Sequence, residues 1–143
     1  FAAAAQALET LRERRNGDYR LINELGCLYF QLGHLDRAEP CFREAMRLSR
    51  GAPEVMLNLA EVYLAAGSPQ KAAVCAAAVL KLHEDHVEAR LVLCKTAIAA
   101  GDFDKALQLA QEVLRLDESN QTARQLRDAL EQAAQTPAAA AQS

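Results

Sequence analysis

The chain has 143 residues and a mass of 15.6 kDa, the size of one domain, and can bury roughly 68–70% of its extended-chain surface without disulfides or metal. With 51% hydrophobic and 24% charged residues it is not a mainly disordered chain, and six glycines and four prolines exclude collagen-like or loop-dominated architecture. A net charge of −3 and a pI near 5.6 argue against a phosphate-tracking surface, so no nucleic-acid partner is expected. Ala makes up about a fifth of the chain while aromatics are 5% and Trp is absent, so small side chains must do much of the packing, in helices. Cys27, Cys41, Cys75 and Cys94 form no C-x-x-C pair, which fits free thiols in a reducing compartment and points to the cytoplasm. No apolar run reaches the ~18 residues of a membrane span.

Displacing the sequence by 34 residues superposes Gly33, Gly67 and Gly101; Leu25, Leu59 and Leu93; Ala38, Ala72 and Ala106; and Leu48, Leu82 and Leu116. Other columns hold small or matched residues: Gly26, Ala60 and Cys94; Tyr29, Tyr63 and Ala97; Ala45, Val79 and Val113. Helical spacing inside that period means two helices per unit, and one such pair cannot bury its apolar face alone, so units must stack.

In chain order, residues 1–17 place Phe1, Ala4, Leu8 and Leu11 in the columns of Phe103, Ala106, Ala110 and Val113, and read as the second helix of a truncated preceding repeat. The chain is therefore expected to be a fragment of a larger protein, with an apolar edge over residues 1–15 that self-associates or packs on a neighbour. Residues 19–52 form the first full unit: Leu21, Ile22, Leu25, Leu28, Tyr29 and Leu32, then Gly33, then Leu35, Ala38, Phe42, Ala45 and Leu48. Pro40, near the start of the second helix, should cause a local adjustment. Residues 53–86 and 87–120 repeat the pattern, with Pro53 and Pro69 suited to first turns and Ser68 and Asp102 to N-caps. Gly33, Gly67 and Gly101 sit where a helix end needs a left-handed residue. Residues 121–135 are expected to be a capping helix with Arg124, Arg127, Asp128 and Glu131 in former core columns and Ala123, Leu126, Ala129 and Leu130 as its apolar stripe. Residues 136–143 read as a flexible tail after Pro137.

The period, with Leu25-Gly26-x-x-Tyr29, Gly33, Ala38, Phe42 and Ala45 in that order, resembles the tetratricopeptide repeat. The resemblance implies an all-α fold, a right-handed α-solenoid of helix-turn-helix repeats. It also implies a concave groove lined by the first helix of each pair. Departures grow along the chain: Phe42 becomes Ala76 and Ala110, and the aromatic that often opens the first helix is Ile22, Met56 and Arg90, so the later units are expected to be less stable.

No P-loop, G-x-G-x-x-G or nucleophile elbow occurs, so no catalytic or cofactor-binding residue and no cofactor is expected. His83 and His86, with Glu84 and Asp85, lack a further ligand at zinc spacing and read as a solvated turn. The expected groove residues are Asn23, Cys27, Phe30, Leu57, Asn58, Glu61, Leu64, Leu91, Val92, Lys95 and Ile98, an exposed apolar strip with a glutamate rim of Glu24, Glu54, Glu61 and Glu88. Some members of the resembled family hold a chaperone's C-terminal carboxylate with Lys, Asn, Asn, Lys and Arg; the matching positions here are Asn23, Cys27, Asn58, Glu88 and Val92, so that cationic clamp is absent. The expected function is a non-catalytic scaffold or adaptor binding a peptide or amphipathic helix that carries apolar and basic residues. Alternatives are an appended docking region of a larger enzyme such as a glycosyltransferase, or a self-assembly scaffold using Val74, Ala77 and Ala78 on the convex side.

Overall fold

The computed structural model describes residues 2–14 and 17–135. Among them are eight α-helices and no strand: α1 (Ala2–Arg14), α2 (Tyr19–Gln31), α3 (Leu35–Ser49), α4 (Pro53–Ala65), α5 (Pro69–Leu82), α6 (Val87–Ala99), α7 (Phe103–Leu116) and α8 (Gln121–Ala134). The expectations for Phe1, for the Leu11 side chain and for the tail after residue 135 fall outside the described residues.

The helix ends are written in the sequence. Gly33, Gly67 and Gly101 have φ of 80°, 79° and 80°, a conformation that a side chain would strain. The following residue in each case donates back across the helix end: His34 N to Tyr29 O at 2.9 Å, Ser68 N to Tyr63 O at 2.8 Å, and Asp102 N to Ala97 O at 2.9 Å. Asp18, Asp102 and Asn120 cap their helices by accepting from Arg20 N, Lys105 N and Ala123 N. His86 does the same with Nδ1, which accepts from Ala89 N at 3.3 Å. Pro53 and Pro69 open α4 and α5, and Pro40 lies inside a continuous α3.

The chain divides into two compact units, 1–75 and 76–143. In the first, α1 packs on α2, α2 on α3, α3 on α4, and α2 touches α4. Phe42 is the largest fully buried side chain, and its ring rests on Gly26: a Cβ there would lie 2.7 Å from the ring. In the second, α6 packs on α7 and α7 on α8. One cluster joins Cys94, Ala97, Ala106, Leu109 and Ala110, with Leu93, Ile98, Leu126 and Leu130 against it; another joins Leu91, Val113 and Ala123. Cys94 Sγ donates to Ala106 O at 3.2 Å, so a thiol replaces Gly26 of the earlier column and spends its proton on the neighbouring backbone.

Several expectations are corrected. Ala4 is exposed and Ala5 is buried, because α1 is turned so that Ala5 and Glu9, four residues apart and on one face, meet α2, where Glu9 Oε1 accepts from the Tyr29 hydroxyl at 2.9 Å. Leu82 and Leu116 are 75% and 43% exposed, for they end α5 and α7. On α8, Ala123, Leu126 and Leu130 face inward while Ala129 is exposed, off the i, i+3, i+7 stripe.

The column that holds Ile22 and Met56 in the earlier units holds arginine at positions 90 and 124. Arg90 Nη1 donates to Glu84 O and Arg124 Nε donates to Glu118 O at 3.0 Å, each closing the turn six residues behind it. Arg90 Nε also lies 3.5 Å from Glu112 Oε2, with both side chains largely shielded. Arg90→Ala is therefore expected to lower stability by about 1–2 kcal/mol, through a charge-assisted bond and a half-buried ion pair, read as a lower urea midpoint at unchanged slope.

Candidate functional site

The first unit brings three expected groove residues together. Asn23 and Cys27 lie one turn apart on α2, and Asn58 on α4 reaches them: its Nδ2 donates to Asn23 Oδ1 at 3.0 Å and lies 3.7 Å from Cys27 Sγ. All three are half-buried, as are Phe30, Glu61 and Leu64, while Glu24 and Glu54 are exposed. Burial, with Glu24 nearby, pushes the Cys27 thiol up, so it stays protonated at neutral pH. In the second unit Lys95 and Ile98 are half-buried and Glu88 is exposed.

The apolar strip is not spare surface throughout. Leu57, Leu91 and Val92 are 9%, 4% and 3% exposed, and Leu91 packs with Val113 and Ala123, so these residues serve the core. Ile98 also leans on the cluster around Cys94 and Ala97. On α5, Val74 is 71% exposed, Ala77 is exposed and Ala78 is half-buried. Among the described residues no group of three or more His, Cys, Asp and Glu side chains gathers as a metal site would require; the His83 and His86 rings lie 6.4 Å apart. No described helix is long and apolar enough to cross a membrane.

A second feature of the first unit was not anticipated from the sequence. A cleft of about 380 Å³ is lined by Ala5, Gln6, Glu9, Tyr29, Leu32, His34 and Arg37. The Tyr29 ring receives the His34 ring edge-on at 6.5 Å and the Arg37 guanidinium at 5.8 Å. Burial and the bond to Glu9 push the Tyr29 hydroxyl up, keeping it a proton donor. The 34-residue displacement carried the signal, since it aligns Glu9 with Arg43 and Tyr29 with Tyr63. In the second unit a cleft of about 520 Å³ lies among Gln111, Leu114, Arg115, Glu118, Arg127 and Glu131.

Helices of 13 to 15 residues joined by glycine turns, with small residues where they cross, define an all-α protein of the helical-repeat solenoid class. Tetratricopeptide repeat family models match residues 23–79 and 64–130, and the chain belongs to that family. No curated protein matches it. Similar solved structures include the first tetratricopeptide domain of Spaghetti (RPAP3) bound to the HSP90 peptide SRMEEVD, at 20% identity and TM-score 0.76 over 85% of this chain and 97% of that one. MamA is similar at 16% identity and TM-score 0.79, over 91% of this chain and 76% of that one. The second domain of human RPAP3, in complex with the HSP70 peptide SGPTIEEVD, is similar at 19% identity and TM-score 0.69, over 77% and 92%. At such identities the likeness is one of fold.

Proposed function

We propose that this chain is a non-catalytic protein-interaction module that takes a peptide or amphipathic helix on the exposed face of α2 and α4. The observation that carries this reading is the Asn58–Asn23 hydrogen bond, which fixes two amides across neighbouring helices and leaves the Asn23 Nδ2 donors and the Asn58 Oδ1 acceptor for a ligand main chain. Phe30 and Leu64 supply apolar contact beside them, and Glu24 and Glu54 favour a ligand with Lys or Arg. In the second unit, Lys95 and Ile98 are the accessible members of the proposed set. Two structures of similar fold hold peptides of HSP90 and HSP70. The positions of this chain that match the clamp's cations are Asn23, Glu88 and Val92, none of them basic, so such acidic tails lack their counter-charges here.

Screening a displayed library of 12-residue peptides should enrich apolar residues with Lys or Arg, and SRMEEVD should show no measurable binding by calorimetry. Against the best peptide, Asn58→Ala and Leu64→Lys should each weaken affinity at least about tenfold with helicity intact. Unchanged affinity in both variants would remove the proposed site.

A further inference from the structure

Tyr63 is 8% exposed, and a phenol buried so far ordinarily donates its hydroxyl proton as well as accepting one. Arg43 Nη2 donates to that hydroxyl at 3.2 Å, and none of the described residues accepts from it. The same Nη2 pairs with Glu39 Oε1 at 2.9 Å, so the Nη1 and Nε donors of the five-donor guanidinium stay available. Lys71, exposed in the first turn of α5, places Nζ 5.5 Å from the Tyr63 ring centre and pairs with no carboxylate among the described residues. Thirty-four residues earlier the chain shows what such a phenol takes: the Tyr29 hydroxyl donates to Glu9 Oε1 at 2.9 Å, with the Arg37 guanidinium 5.8 Å from the ring centre. Tyr29 and Arg37 stand at the positions of Tyr63 and Lys71, and Glu9 at that of Arg43. The exchange of Glu9 for Arg43 removes the chain's own acceptor and puts a second cation in its place.

We infer that Tyr63, Arg43 and Lys71 form a docking point for one carboxylate, the Asp or Glu side chain of a protein partner. The sign follows from the contacts: Arg43 and Lys71 together outweigh Glu39, the carboxylate that touches Arg43, so an anion is drawn in. A carboxylate offers about four acceptor sites, enough to take the Tyr63 proton, the free edge of the Arg43 fork and the Lys71 ammonium together. The bonds to Tyr63 and Glu39 hold the guanidinium in advance, so less side-chain freedom is lost when the ligand arrives. Glu39, on Nη2, repels an incoming acid from its own side and directs it to the Nη1 and Nε edge. Arg47, four residues on along α3, is exposed with the same charge on the same face, so a partner segment with two acids gains a second contact. The occupant is a carboxylate because that is the group the chain itself sets on Tyr29. The place shares no residue with the face of α2 and α4 proposed above, and its failure leaves that reading standing.

Isotope-labelled full chain, titrated with N-acetyl-glutamate N-methylamide, should show saturable amide shifts at Tyr63, Ser68, Gln70 and Lys71, and at least about tenfold weaker response to the matching arginine amide. Lys71→Met, which keeps the stem and removes the charge, should abolish that preference. Tyr63→Phe, which keeps the ring and both cations, should weaken binding of the glutamate probe at least about threefold, a change that positive charge alone would not produce. Equal response to the two probes, or inorganic phosphate binding more tightly than the glutamate probe, would overturn the inference. So would an unchanged preference in Lys71→Met or an unchanged affinity in Tyr63→Phe; Lys71→Met, at an exposed position, decides the matter if Tyr63→Phe does not fold.

Discussion

Phe42→Ala is expected to lower the unfolding free energy by about 3–5 kcal/mol, the usual cost of emptying a buried aromatic site. Phe42 is 1% exposed, and its ring lies against Gly26 where α3 packs on α2, so its loss empties space inside that contact. The same contact predicts a change of sign. Gly26→Ala alone should destabilise, because the new Cβ would stand 2.7 Å from the ring and overpacking costs about 1–3 kcal/mol against a helix-propensity gain of about 1 kcal/mol. In the Phe42→Ala background the ring is gone, and Gly26→Ala should stabilise by about 1 kcal/mol. Urea unfolding of the four proteins tests the cycle. Additive effects would mean that the ring does not meet Gly26 as described.

The second large effect is Leu91→Lys, expected to cost about 4 kcal/mol or more, since it replaces a side chain 4% exposed among Val113 and Ala123 with a charge that has no partner there. Leu64→Lys, at a half-buried position on α4, should cost less than about 1 kcal/mol. Thermal unfolding followed by circular dichroism separates the two. A Leu91→Lys protein as stable as Leu64→Lys would place Leu91 back on the surface.

That contrast shows where the sequence could be read and where it could not. The Ala38, Ala72 and Ala106 column is wholly buried, as a conserved period of small residues demands when helices cross closely. The inward face of α2 was equally legible: Ile22, Leu25, Gly26 and Tyr29 form one stripe, with polar residues marking the opposite side. On α4 and α6 that signal is missing. Buried residues include Val55, Leu57, Leu59, Ala60, Val62 and Tyr63 on the one, and Ala89, Leu91, Val92, Cys94, Thr96 and Ala97 on the other. A helix apolar over most of its circumference has no phase, so spacing alone cannot say which Leu faces a ligand and which faces a neighbour. The Asn58–Asn23 bond was out of reach for a related reason: the period places both residues on first helices, but only the approach of α4 to α2 brings their amides to 3.0 Å. The facing of α1 includes a polar contact, the Tyr29 hydroxyl on Glu9, that a hydrophobic register does not encode.

Arg90 and Arg124 have a consequence for how the chain acquires its form. Each fastens to a carbonyl only six residues earlier, at Glu84 and Glu118, so the loop that must close is short and its entropic cost is small. These turns can be made while the helices on either side are still searching for partners, at the rapid pace of contacts near in sequence. Where a buried aromatic would decide a helix start only after its neighbour had arrived, an arginine lets the nascent chain decide it alone.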